Sequence, residues 1–242
     1  MARPHPILFA ASHSGRFGDT ALLFRVASIL LIAATLAAPD AAARPVRPID
    51  QARHDPALAE MRDRLAQAVA RKDYVAIARM IPPDAKVGTG MGMPALVAWL
   101  RRDPALWEEL ERTLALGGRM VRPGHFEAPY TRFVREKGVP PEELGVVIGR
   151  YIPVLDSPTD RGQVLARYSH ETAVVKRWWV ADAHADAGKA DRAAAEPWVE
   201  IQLPSKRRGY MQKRWVRWVG AMRIGFAKRG GQWQVVSIET GR

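Results

Sequence analysis

Residues 222–238 read MRIGFAKRGGQWQVVSI. Met222, Ile224 and Phe226 occupy every second position, Gly230-Gly231 makes the turn, and Trp233, Val235 and Ile238 answer beyond it. Alternation on both sides of a Gly-Gly pair predicts a β-hairpin. It must pair with something, and where it docks decides the fold.

Working outward, strand-length apolar runs bounded by Gly and Pro fill the chain between Gly118 and this hairpin. Phe126–Val134 (FEAPYTRFV) opens that half and leads through Pro140-Pro141 into Val146-Val147-Ile148, then Tyr151, Ile152 and Val154. Residues 181–196 (ADAHADAGKADRAAAE) interrupt the pattern, without aromatic or branched apolar residues, and read as a surface insertion that protease should nick first.

Before Gly118 the period is helical. Asp55-Pro56 combines an N-cap with a first-turn proline, and Leu58, Met61, Leu65 and Val69 follow at helical spacing to about Lys72. Asp73 starts a second run through Tyr74, Ile77 and Ile81, stopped by Pro82-Pro83. Met93–Arg101 and Pro104–Leu116 are also expected helices, the latter capped by Asp103-Pro104 and ended by Gly117-Gly118. Trp99 and Trp107 sit on apolar faces and are expected in the core. Between the helical runs, VGTGMGMP (87–94) reads as a loop or irregular strand. It lacks the Lys-Ser/Thr of a phosphate-binding loop. The expected class is α+β: an N-terminal helical region, a small β-barrel and a C-terminal hairpin that pairs back with the N-terminal part.

The chain has 242 residues, no cysteine and a formal net charge of +12. Disulfides, thiolate metal sites and cysteine nucleophiles are thereby excluded. The basic excess is local. Residues 44–196 hold 24 basic and 21 acidic residues, whereas residues 197–242 hold 10 basic residues against Glu200 and Glu239. That surplus is either a solvated face or a surface for anionic partners.

The first residues read as an export leader. Arg3, Arg16 and Arg25 precede an uncharged run, Val26–Ala38 (VASILLIAATLAA), and Ala41-Ala42-Ala43 gives a small-residue cleavage site. The run is short for a bilayer span, which takes about 20 apolar residues. Cleavage after Ala43 and retention as an anchor are both open, with a periplasmic or secreted protein as the expected result. The expected organisation is a signal peptide (1–43), an extended lead-in (44–54), a helical or α+β domain (55–135), a barrel (144–218) carrying the insertion, and the closing hairpin (219–242).

Several pieces of the β half resemble a bacterial SH3-type domain. Val154-Leu155-Asp156-Ser157-Pro158 is similar to the start of that barrel, and Gln163–Arg167 with Ala173-Val174-Val175 to its second and third strands. Trp198-Val199-Glu200-Ile201, Gly209-Tyr210-Met211 and Val216 are similar to its ending. Pro153 departs from the pattern, as does Ser205-Lys206-Arg207-Arg208, which lacks the usual turn glycine. With the closing hairpin, the whole resembles exported SH3 domain-containing envelope proteins of proteobacteria. The hairpin itself resembles the last strands of the cone-shaped nuclear transport factor two fold, on which reading the barrel is an insertion.

The resemblance implies a non-catalytic module for an extended cell-wall (peptidoglycan) peptide or an envelope protein. Trp178, Trp179, Tyr210, Trp215 and Trp218 are the aromatics available to line a groove, and some of them are expected to be core. Arg207 and Arg208 supply a basic rim. Trp198 is expected to be core. No G-x-S-x-G, H-E-x-x-H or cysteine site is present, so no catalytic residue, cofactor or metal is expected. His184 between Asp182 and Asp186 offers one weak ligand set, short of the converging three or four a metal needs. Glu108, Glu109 and Glu111 beside Arg101, Arg102 and Arg112 read as solvated ion pairs. Nucleic acid is not an expected partner, an anionic surface is, and the oligomeric state is open. The alternative is an envelope enzyme or small-molecule binder using a pocket in the N-terminal α+β domain.

Overall fold

Asp55 begins the ordered helical part as the cap-and-proline pair requires. Its carboxylate accepts the amides of Ala57 and Leu58 at 3.1 and 3.2 Å, and α1 (Pro56–Ala70) follows, burying Leu58, Met61, Leu65 and Val69. Asp73 caps α2 (Tyr74–Ala78) by accepting the Ala76 amide at 2.9 Å. These features come from a computed structural model that describes residues 43–181 and 197–241. The expected leader apart from Ala43, and the expected insertion with His184 apart from Ala181, lie outside the described residues.

The Gly-rich stretch after α2 is a minimal hairpin of β1 (Lys86–Val87) and β2 (Gly90–Met91). Gly88 and Gly92 take left-handed backbone, and at Gly92 a Cβ would lie 2.8 Å from the Pro83 carbonyl oxygen, so only glycine fits. Helices α3 (Gly92–Arg102) and α4 (Leu106–Ala115) follow. The Asp103 carboxylate accepts the Ala105 amide, yet α4 starts two residues later than expected and has no side-chain cap.

Then comes a hairpin absent from the sequence reading, β3 (Arg119–Arg122) and β4 (His125–Ala128), turning at Pro123-Gly124. The run expected over 126–134 ends as a strand at Ala128. Pro129 follows, which has no N–H for a ladder, and Tyr130–Phe133 form a 3-10 turn.

Residues 144–218 form a second sheet. Its strands are β5 (Leu144–Val147), β6 (Ile152–Leu155), β7 (Val164–Tyr168), β8 (Thr172–Val180), β9 (Trp198–Gln202), β10 (Arg208–Gln212) and β11 (Val216–Trp218). They pair antiparallel in the order β11-β5-β8-β9-β10-β6-β7. The chain then returns as β12 (Arg223–Arg229) and β13 (Gln232–Glu239), turning on left-handed Gly230 and Gly231.

This last hairpin sits at the middle of the first sheet, whose order is β2-β1-β13-β12-β4-β3. Ile224 opposes Ala128, where the chain left the sheet, and Lys86 pairs in parallel with Ser237. The α+β class and the docking of the hairpin on the N-terminal part are therefore as expected.

Among the described residues three apolar clusters follow from this layout, the smallest made of Leu144, Val146 and Val219. Helix residues Leu58, Met61, Leu96, Trp107 and Leu110 pack on Phe126, Phe226, Ile224 and Val235, with the two phenylalanine rings edge to face at 5.9 Å. Inside the second sheet, Val147, Val154, Val175, Val199, Ile201 and Met211 are buried. Gly209 on β10 is required by close packing, because a Cβ there would lie 2.4 Å from Val154 Cγ1.

Asp55 and Glu239 tie the hairpin down by charge. Asp55 Oδ2 accepts Trp233 Nε1 at 3.0 Å and lies 3.6 Å from Lys228, and Glu239 pairs with Lys86 and with Arg223 at 2.8 Å. At each carboxyl burial pushes the pKa up, but the partners outweigh it and leave the pKa below its ordinary value. At Asp55 these partners are Trp233, the Leu58 amide and Lys228, and at Glu239 they are Lys86 and Arg223. A carboxyl with a depressed folded pKa contributes stability that is complete above its unfolded pKa of about 4, and loses it as pH falls through the folded value. Urea titrations from about pH 6 downward should show stability dropping below about pH 4, less steeply in the Asp55→Asn/Glu239→Gln double variant. Equal slopes in the two proteins would show that these carboxyls do not set the acid limit.

Candidate functional site

Strand β8 decides how the expected aromatics are distributed. Its register slips between Val175 and Arg177 and again between Arg177 and Val180. A bulge re-aims side chains, and Trp178 turns toward the core side of the sheet while Trp179 stays 57% exposed.

Trp178 meets Trp218 of β11, ring centroids 6.5 Å apart and tilted by 58°. Both indole N–H groups are engaged by backbone. Trp178 Nε1 donates to Glu142 O at 2.7 Å and Trp218 Nε1 donates to Pro141 O at 2.8 Å. Gly145 lies beneath, where a Cβ would come within 3.2 Å of Trp178 Cη2 and 2.6 Å of Val216 Cγ1. The result is a mostly apolar cleft of ≈ 430 Å³, walled by Trp178, Val216, Trp218 and Ala221. Half-buried Arg112 and exposed Lys213 and Glu142 stand at its border, and Glu109 and Arg217 complete the lining.

Arg217 is buried, 3% exposed. Its guanidinium donates to Glu109 Oε2 at 3.0 Å, to Thr113 Oγ1 at 2.8 Å and to Met222 O at 3.1 Å, and a second contact to Glu109 Oε1 is 2.7 Å long. Glu109 Oε1 in turn accepts the Met222 amide at 3.3 Å. Burial pulls the Arg217 pKa down, Glu109 opposes this, and Arg112 adds a like-charge push in the same direction as burial. The expectation for Glu109 is thereby corrected: it is not a solvated partner of Arg101, Arg102 or Arg112 but the counter-ion of a buried arginine on β11.

The remaining candidates do not share this cleft. Tyr210 and Arg208 belong to a polar cluster on the other face of the second sheet, around buried Glu200. Tyr210 Oη donates to Glu200 Oε2 at 3.3 Å, Arg208 Nε lies 3.7 Å from Oε1, and Arg177 Nε donates to Oε2 at 3.0 Å. Trp215 is half-buried over Gly149, with the Arg214 guanidinium 5.3 Å above its ring. Arg207 is exposed in the turn before β10, where Lys206 takes the left-handed conformation usually left to glycine. Trp198 is buried, as expected.

Part of the basic surplus of residues 197–242 is answered by acids. Arg208, Arg217, Arg223, Lys228 and Arg229 each lie against a carboxylate: Glu200, Glu109, Glu239, Asp55 and Asp84. Among the described residues no group of three His, Cys, Asp or Glu is placed to hold a metal ion. Comparison with protein-family models, curated proteins and solved structures finds no match.

Removing one partner of a buried ion pair strands the other charge, at a cost of about 3–5 kcal/mol. Arg217→Ala should lower the free energy of unfolding by about that much in denaturant titrations, whereas Arg207→Ala, at an exposed turn, should change it by less than about 0.5 kcal/mol. Similar small effects from both would show that the buried pair does not hold the seam.

Proposed function

We propose that the protein is an exported, non-catalytic binding module, with residues 144–218 forming an SH3-type barrel that takes an extended cell-wall peptide or a segment of an envelope protein. The observation that carries this reading is the Trp178–Trp218 cleft. Both indoles have their polar N–H turned into backbone carbonyls, so what they offer a ligand is apolar ring surface. Arg112 and Lys213 at the border suit a ligand that carries carboxylates beside small aliphatic groups, the chemistry of cell-wall peptides.

The cleft is favoured over a pocket inside the N-terminal α+β domain. That domain has open clefts of its own, one of ≈ 1030 Å³ along Lys86, Trp99, Arg102, Arg223 and Glu239, but this lining mixes ionic groups with a single indole. Recognition centred on Trp178 and Trp218 also gives Arg207 and Arg208 a smaller part than a basic rim would have, because Arg208 already faces Glu200.

Retention of the purified protein on peptidoglycan sacculi, with soluble muropeptides as competitors, tests the reading. Truncating an anchor aromatic costs about 2 kcal/mol or more, roughly 30-fold in affinity. Trp218→Ala should weaken retention by that factor at any salt. Arg112→Ala with Lys213→Ala should weaken it mainly at low salt, since rim charges act through a field screened over about 8 Å at physiological ionic strength. Trp179→Ala, on an exposed ring, should leave both fold and retention unchanged. Wild-type protein that neither binds sacculi nor responds to muropeptides would remove the cell-wall ligand and leave the envelope-protein partner, to be sought by cross-linking in intact envelopes.

A further inference from the structure

The segment after the expected leader is more than the lead-in the sequence suggests. Arg44, Pro45 and Val46 run antiparallel to residues 170–172. Thr172 N–H donates to Arg44 O at 2.9 Å, Val46 N–H donates to His170 O at 2.6 Å, and Pro45 opposes Glu171. Ala43 packs against the core of the second sheet. A few residues on, Asp50 accepts two contacts from Nη1 of the buried Arg62, at 2.9 and 3.1 Å, and Gln51 N–H donates to Gly118 O at 3.0 Å. One short strap thus joins the second sheet to the first domain.

Its first amide is placed unusually. Arg44 N–H donates to Thr172 Oγ1 at 2.9 Å, and that buried hydroxyl passes its own proton on to Glu136 Oε2 at 3.4 Å. The Glu136 side chain is only 19% exposed, and Arg44 Nε stands 3.9 Å from the same oxygen. A donor at Arg44 N therefore starts a relay that ends on a mostly buried carboxylate. A neutral amide supplies one hydrogen to it, whereas an ammonium would supply three donors and a charge to match.

We propose that Thr172 and Glu136 form a site for a primary ammonium, and that its ligand is the chain's own α-amine, exposed when the Ala43–Arg44 bond is cut. The inference rests on reading residues 1–43 as a removable leader. Hydrolysis adds one water across that bond. Ala43 leaves as a carboxylate and Arg44 keeps the nitrogen as an ammonium, the proton released by the new acid being taken up by the new amine. Other charges around the strap are Glu171 opposite Pro45, and Arg47 and Arg135 in the same groove. Glu136 is the carboxylate that the relay reaches. The consequence is a protein whose strap is fastened more firmly after processing than before it, which suits a chain that must stay unfolded during export.

The test uses the full chain with a protease recognition sequence inserted before Arg44, measured before and after cleavage at that point. A single charge-assisted contact of this kind should raise Tm by about 2–4 °C on cleavage. The rise should vanish in Glu136→Gln. Independently, the new α-amine should react more slowly with an acylating reagent at neutral pH than the same amine in Glu136→Gln, a difference that a merely structural strap would not produce. A Tm rise of equal size in both proteins, or equal amine reactivity in both, overturns the ammonium site. If the protein isolated from its host starts elsewhere than at Arg44, the leader reading fails on its own, whatever the engineered cleavage shows about Glu136.

Discussion

The seam between the two halves is organised by one buried charge. Taking a guanidinium out of water is expensive, and Arg217 is tolerated because Glu109, Thr113 and the Met222 carbonyl surround it. Those partners come from α4 and from the loop that enters β12, so their positions relative to β11 are fixed together. Trp218 is the next residue along β11, and its orientation toward Trp178 follows from that anchoring.

The hairpin at the chain end is the other organising feature. Because β12 lies beside β4, the chain must return to the place from which it left, and residues 144–218 become an excursion between two neighbouring strands. Such an excursion keeps its own apolar interior, separate from the one under the helices. The Glu109–Arg217 pair and the Arg44–Gln51 strap are among the contacts that cross the seam.

Much of this was legible in the residues. Asp55-Pro56 and Asp73 marked helix starts because their short carboxylates can reach free amides, and residues 222–238 showed a hairpin because alternation and a Gly-Gly turn are local signals. The β3–β4 hairpin escaped because Arg119–Arg122 carries exposed, charged residues with little alternation. The Glu109–Arg217 pair escaped because an arginine between Val216 and Trp218 looks like the polar phase of an edge strand; only the tertiary fold brings α4 against it. The separation of the β8 aromatics was not legible for a similar reason. Adjacent Trp178 and Trp179 fall on opposite faces in any strand, but the two register slips that send Trp178 to the core side depend on how β8 meets β9, which no local pattern records. Part of the basic surplus at the C-terminus is answered by acids far upstream, Asp55, Asp84 and Glu109, which no local charge count records.

The central claim is that ligand meets the paired indoles rather than the Tyr210 face or the exposed turn. Its most direct test is an NMR titration of the indole N–H resonances with soluble muropeptide. The Trp178 and Trp218 signals should shift together and saturate at one concentration, while the Trp179 signal stays in place. Movement of Trp179 with no change at Trp178 or Trp218 would contradict it.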